Sequence, residues 1–123
     1  MWYFTADLHL GHGGILKAGY RSQFTNTDEM DGYLIAQWNS TVSNKDVVVH
    51  LGDLTLETTK VIARGYVKQL QGNIVWVKGN HDHWLGGHRY EWHKKVEGIV
   101  IYGTHFPLRT WTQSEYRWNL HGH

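Results

Sequence analysis

The sequence predicts an α/β fold in which parallel strands are joined by helical crossovers, and three observations carry that prediction. Short apolar runs at residues 2–6, 46–51 and 74–77 alternate with stretches whose apolar residues recur at helical spacing. Each run stops at a polar cluster holding a carboxylate: Asp7-Leu8-His9, Gly52-Asp53-Leu54 and Gly79-Asn80-His81-Asp82. The length, 123 residues, suits one core and one domain. Ligands of parallel sheets bind beyond the carboxyl ends of the strands, so all three clusters are expected on one edge.

Residues 2–6 read as a buried strand. Along an extended backbone Asp7 and His9 would point the same way, because side chains alternate with period two. A carboxylate and an imidazole so placed can chelate one divalent ion; a capping aspartate beside an incidental histidine gives the same string. Residues 15–27 show no period and read as an irregular excursion. Asn26 followed by Glu29 then marks a helix start, and Met30, Tyr33, Leu34, Trp38 and Val42 continue at helical spacing as a core-facing stripe. The β-branched run 46–51 is typical of a strand buried on both faces. Thr58 or Thr59 begins a second helix, with Val61, Ile62, Val67 and Leu70 on one face and Gly72 as its stop. After the strand at 74–77, residues 83–97 read as a loop with a helical turn over the mouth of the site. Its histidines, His83, His88 and His93, are taken as surface residues. Residues 99–102 form a fourth strand, and the single proline, Pro107, turns the chain away just after His105.

Composition narrows the chemistry. The apolar (41%) and charged (19%) fractions are those of a soluble globular protein. No apolar stretch approaches the ~20 residues of a membrane span, and the N-terminus lacks the basic region and cleavage site of a signal peptide, so a cytoplasmic location is expected. Without cysteine, any metal must be held by nitrogen and oxygen. A net charge of +1 gives no electrostatic footprint for polyanion binding. The seven tryptophans read as core and interface mass, with a homodimer contact as the partner they suggest. An amide, imidazoles and carboxylates gathered from three loops are costly without partners, and a metal centre is the expected one.

The ordered set Asp7-Leu8-His9, Gly52-Asp53-Leu54, Gly79-Asn80-His81-Asp82, Thr104-His105-Phe106-Pro107 and His121-Gly122-His123 resembles the calcineurin-like metallophosphoesterases. Their pattern is DxH, GD, GNH, an isolated histidine and GHxH. The residues around Asp7, Asp53 and Phe106 to Arg109, with Trp111, are similar to the small bacterial and phage members. The resemblance implies a single domain over 1–123 built as a four-layer α/β/β/α sandwich, with a trimmed second sheet. It implies two divalent ions, manganese first with iron, zinc or nickel suiting the same donors, and a bridging hydroxide that hydrolyses a phosphomonoester or phosphodiester. A nucleotide-type substrate is expected, with nucleic acid entering only as a substrate. By position, Asp7 and His9 would hold the first metal, Asp53 would bridge, and Asn80, His105 and His123 would complete the second. His81 would be the general acid or a phosphate contact, and His12 and Arg109 would meet the phosphate.

Two departures matter. Many relatives orient the catalytic histidine with an aspartate three places after the bridging one; here Leu56 stands there, beside Glu57. Matching GHxH to Gly122-His123 places its second histidine beyond residue 123, so a longer C-terminus is expected; in a shifted register His121 joins His123 as a ligand. A catalytically inactive scaffold that uses exposed tryptophans as its interface is the competing expectation.

Overall fold

The alternation of strand and helix runs through the first two thirds of the chain. The computed structural model describes every residue except His88 and Gln113, so the expectation for His88 lies outside the described residues. In order the elements are β1 (Trp2–Thr5), α1 (Gly13–Lys17), α2 (Thr27–Thr41), β2 (Val47–His50), α3 (Lys60–Lys68), β3 (Asn73–Trp76), β4 (Glu91–Val96), β5 (Ile99–Thr104) and β6 (Arg117–His121). The first sheet runs β1-β2-β3, all parallel, with Phe4 opposite Val49 and Val49 opposite Val75.

Strand order follows chain order, so α2 and α3 cross over on the same face. Side-chain alternation then divides the core in two. Tyr3, Val48, Ile74 and Trp76 pack with Trp38, Val42, Ala63 and Leu70 on the helical side. Phe4, Val49, Leu51, Val75 and Val77 face the other way, against Trp92 and Leu120 of the second sheet. That is why the run at 47–49 is unbroken valine: each strand face has its own apolar partner.

The helices are entered and buried differently. Asn26 caps α2 as expected, its Oδ1 accepting from the Glu29 backbone N–H at 2.8 Å. Met30, Trp38 and Val42 of the expected stripe are buried, whereas Tyr33 is exposed and leans on Phe24 at 5.4 Å. On α3 the expected face is corrected: Val61 is 79% exposed and Ile62 46%. The inward residues are Ala63, Tyr66, Val67 and Leu70, spaced i, i+3, i+4 and i+7, a stripe whose anchor is a small alanine.

The loop expected over 83–97 is also corrected, because residues 91–96 form β4 and pair antiparallel with β5. Glu97 and Gly98 connect them with φ of 50° and 85°, both positive, as a two-residue type I′ hairpin requires. Trp92, Lys94 and Val96 share one face of β4. The Lys94 ammonium lies 4.9 Å from the centre of the Trp2 ring, so this face of β4 presents a charge to the aromatic ring that covers it. β6 pairs parallel with β5. Among the described residues the result is a mixed α/β fold of three layers: helices, first sheet, second sheet. Among the described residues no helix is long and apolar enough to cross a membrane.

His50 ends β2 inside the helical half of the core, fully buried, with the rings of Trp76 and Trp38 at 5.2 and 6.4 Å. Its Nδ1 accepts from the Gly52 N–H at 3.2 Å, and its Nε2 has no partner among the described residues. Burial lowers its pKa to about 4; His105 and His9 add to the lowering, and Asp82 and Asp53 oppose it. Between about pH 6.5 and that value the unfolded chain binds a proton that the folded chain refuses. Stability should therefore fall as pH drops through this window, by about 3 kcal/mol in full, with no contribution above it. His50→Leu should remove this part of the pH dependence. Urea unfolding of both proteins at pH 7 and pH 4.5 checks it, and an equal difference between them at the two pH values would count against it.

Candidate metal centre

Beyond β1 the backbone turns left-handed at two of the expected site residues, Asp7 with φ 57° and His9 with φ 51°. The extended geometry expected for this pair is thereby corrected. The turn is held against the neighbouring strand end, where Asp7 N–H donates to Gly52 carbonyl at 2.9 Å and His9 N–H to Asp53 carbonyl at 3.1 Å. Asp53 is left-handed as well, with φ 62°. Non-glycine residues rarely adopt this region, and three together at one sheet edge mark a site that the surrounding structure over-determines.

Glycine makes the close packing behind them achievable. Gly52, with φ 100°, has no room for a Cβ, which would stand 2.7 Å from Gly79 Cα and 2.6 Å from His105 Nδ1. On Gly79 a Cβ would collide with the Asp53 side chain. The two loops thus meet backbone to backbone, and this contact sets Asp53 beside His81 and Asn80.

Asp53 is 1% exposed and lies at the centre. Its Oδ1 accepts from the His81 backbone N–H at 2.9 Å. Its Oδ2 lies 3.2 Å from His105 Nε2 and 3.6 Å from His9 Nε2, and His9 Nε2 is 3.7 Å from Asp7 Oδ1. His105 comes from the segment after β5 and is 2% exposed. Its Nδ1 is 2.8 Å from the Leu51 carbonyl, which can only accept, so Nδ1 carries a proton and Nε2 is the nitrogen turned into the site. That nitrogen faces Asn80 Oδ1 at 2.9 Å as well as Asp53 Oδ2. With His105 neutral, three acceptors meet here, two on the buried Asp53 and His105 and one on the exposed Asn80, an arrangement that a cation relieves.

The spacing suits the same conclusion. Metal–ligand bonds of about 2.0–2.2 Å at right or tetrahedral angles separate neighbouring donors by about 3.0–3.5 Å, close to the 2.9–3.7 Å seen here. Two donor groups form, Asp7–His9–Asp53 and Asp53–His105–His123, each with its ligand atoms within 4.8 Å of one another. Asp53 belongs to both. His123 reaches the second group by crossing over Asp7, whose Oδ2 accepts from the His123 N–H at 2.9 Å. His121 is exposed, its Nδ1 at 2.8 Å from Gly122 carbonyl, and belongs to neither group.

His9 turns its other nitrogen to His12, with the two Nδ1 atoms 2.9 Å apart. Burial lowers the pKa of both rings, which favours neutral imidazoles with lone pairs free. The His81 ring stands edge-on to His9 at 5.7 Å and 6.4 Å from His12. Glu57 accepts from Thr59 N–H at 2.9 Å, so it does not take the place of the missing aspartate at Leu56. Arg109 lies at the rim of a cleft of about 640 Å³ whose floor includes Asn80 and His105.

Two residues escaped the sequence reading. Arg21, within the excursion read as irregular, donates to the carbonyls of Asp7 and Leu8, both at 2.6 Å, and so grips the left-handed turn. Asp82 is 1% exposed and accepts four N–H groups: those of Asp53 and Gly79 at 2.7 and 2.8 Å, of Leu54 at 2.9 Å and of the Trp84 indole at 3.2 Å. The signal for Asp82 was a fourth polar residue in a buried loop; Arg21 had none, since its partners are main-chain atoms.

Comparisons with known proteins agree with this geometry. The family model described as calcineurin-like phosphoesterase matches residues 3–123. An uncharacterised protein of Methanocaldococcus jannaschii is 36% identical over 98% of the chain, which spans 67% of that protein's length. The gene 66 protein of Mycobacterium phage L5 is 34% identical over 65% of the chain and is itself covered over 39%. A protein of unknown function from Aquifex aeolicus shares the fold, with a TM-score of 0.69 at 21% identity over 94% of this chain and 66% of its own.

Proposed function

Because the chain belongs to the calcineurin-like phosphoesterase family, we propose that it hydrolyses a phosphate ester with two divalent metal ions held at the edge of the first sheet. The observation that carries this reading is the pair of donor groups joined by Asp53. Asp7, His9 and Asp53 would hold one ion; Asp53, Asn80, His105 and His123 would hold the other. When bound, two such ions polarise phosphate oxygens and activate water near neutral pH. Manganese is the first candidate for a site of nitrogen and oxygen donors, and a nucleotide-type ester the first candidate substrate.

The chain's own residues supply the rest. Asp53 would bring one negative charge to both ions, and it ties His81 in place through its backbone N–H. His81, facing His9 and His12, gives a proton to the departing oxygen. Its ring is oriented by those neighbours rather than by a carboxylate. With His9 Nδ1–H donating to His12 Nδ1, His12 would hold His9 in the tautomer whose Nε2 is free. The scaffold reading relies on exposed tryptophans, and of the seven only Trp118 is exposed, so it gains little support.

Hydrolysis of bis-p-nitrophenyl phosphate with added manganese tests the proposal; no turnover together with no bound metal would overturn it. His81→Ala should slow turnover about 10²–10⁴-fold for alkyl leaving groups, less for nitrophenolate, while metal content stays near normal. Equal losses for both esters would make His81 a phosphate contact instead. Arg21→Ala should loosen the Asp7–His9 turn and weaken one metal equivalent about 10- to 100-fold, leaving the other in place. Metal titration by calorimetry reads this directly, and two unchanged equivalents would show that the grip on the turn is dispensable.

A further inference from the structure

The two sides of the centre differ in the room they offer. Beside His9 and His12 the surface hollow measures about 320 Å³, whereas the cleft over Asn80 and His105 measures about 640 Å³. A phosphate leaves most of the larger cleft empty, and its size is that of sites that enclose a whole organic ligand. Phe106 stands edge-on to His105 and His123 at 4.9 and 4.8 Å yet is 50% exposed. Tyr90 is 69% exposed, with the Lys78 ammonium 5.9 Å from its ring centre. Lys78 and Arg109 outnumber the acidic residue of the cleft, Glu91. Open aromatic rings next to the ligands, with two cations, match a planar aromatic group and a further negative charge.

We infer that this cleft seats the organic part of the ester, a nucleoside-like group whose planar ring stacks on Tyr90 while a second phosphate meets Lys78 and Arg109. The inference rests on the phosphoesterase reading and adds which side of the centre chooses the substrate, and by what chemistry.

Three esters that all release p-nitrophenolate test it: methyl p-nitrophenyl phosphate, the p-nitrophenyl ester of thymidine 5′-phosphate, and the same ester with a 3′-phosphate. With manganese, kcat/KM should rise at least about tenfold from the first to the second, the size of one base–aromatic stack. It should rise again for the third. Tyr90→Ala should shrink the first step about tenfold, and Lys78→Gln or Arg109→Gln should shrink the second. Equal kcat/KM for the three esters, or steps that survive these substitutions, would overturn the inference while leaving hydrolysis intact. If no ester is cleaved, the phosphoesterase reading itself fails. Calorimetry with thymidine 3′,5′-bisphosphate then decides the cleft: a Kd below about 1 mM that Tyr90→Ala weakens upholds it, and no binding at that concentration overturns it.

Discussion

Asp53→Asn should lower kcat/KM at least about 10³-fold, some 4 kcal/mol of lost transition-state stabilisation, while the folded structure persists. The carboxylate is the one donor common to both groups, so its charge leaves both at once. Its surroundings explain why the fold should survive. Oδ1 accepts from the His81 N–H at 2.9 Å, a bond that the asparagine carbonyl keeps. The amide nitrogen then occupies the place of Oδ2, facing Nε2 of His105 and of His9 at 3.2 and 3.6 Å, and can donate to them when these nitrogens carry no proton. Asparagine also tolerates the left-handed backbone found here, φ 62°, at least as well as aspartate does. The variant should therefore unfold at the wild-type urea concentration or above it, bind less than one metal per chain, and show no turnover that added manganese restores. A variant with full metal and full activity would mean that the two groups do not share this carboxylate.

The edge of the sheet was legible because its signals are local. Each of the strands β1, β2 and β3 is an apolar run, each stops at a carboxylate, and parallel order alone brings Asp7, Asp53 and Asn80 together. His105 and His123 arrive from the second sheet, and the resemblance rather than periodicity pointed to them. What stayed hidden depends on partners distant in sequence. The β4 strand was obscured by Lys94, whose charge breaks the apolar alternation although its ammonium lies over the Trp2 ring. The inward face of α3 was misread because Val61 and Ile62 are larger than Ala63, although only the 63-66-67-70 spacing faces the sheet. The left-handed turns at Asp7 and His9 follow from bonds to Gly52, Asp53 and Arg21 that no short stretch of sequence displays.

Asp82→Asn, the same exchange 29 positions further along, should have the opposite profile and cost at least about 3 kcal/mol of folding stability. Asp82 supplies no atom to either donor group; it joins the loops that carry them, taking the N–H groups of Asp53 and Gly79 on Oδ2 and those of Leu54 and Trp84 on Oδ1. All four bonds point at a carboxylate, and no orientation of an amide satisfies them. Whichever oxygen becomes NH₂ then faces two N–H donors, leaving two main-chain or indole groups and the new amide without acceptors in a site that is 1% exposed. Each buried group so stranded costs about 1–3 kcal/mol. Asp82→Ala strands four and should cost at least as much, although it introduces no repulsive donor. Urea unfolding at pH 7 reads both, and metal titration should show both equivalents weakened together, because the loop that positions Asp53 also positions Asn80. An Asp82→Asn protein as stable and as metal-replete as wild type would mean that the Gly52–Gly79 contact holds these loops without the carboxylate.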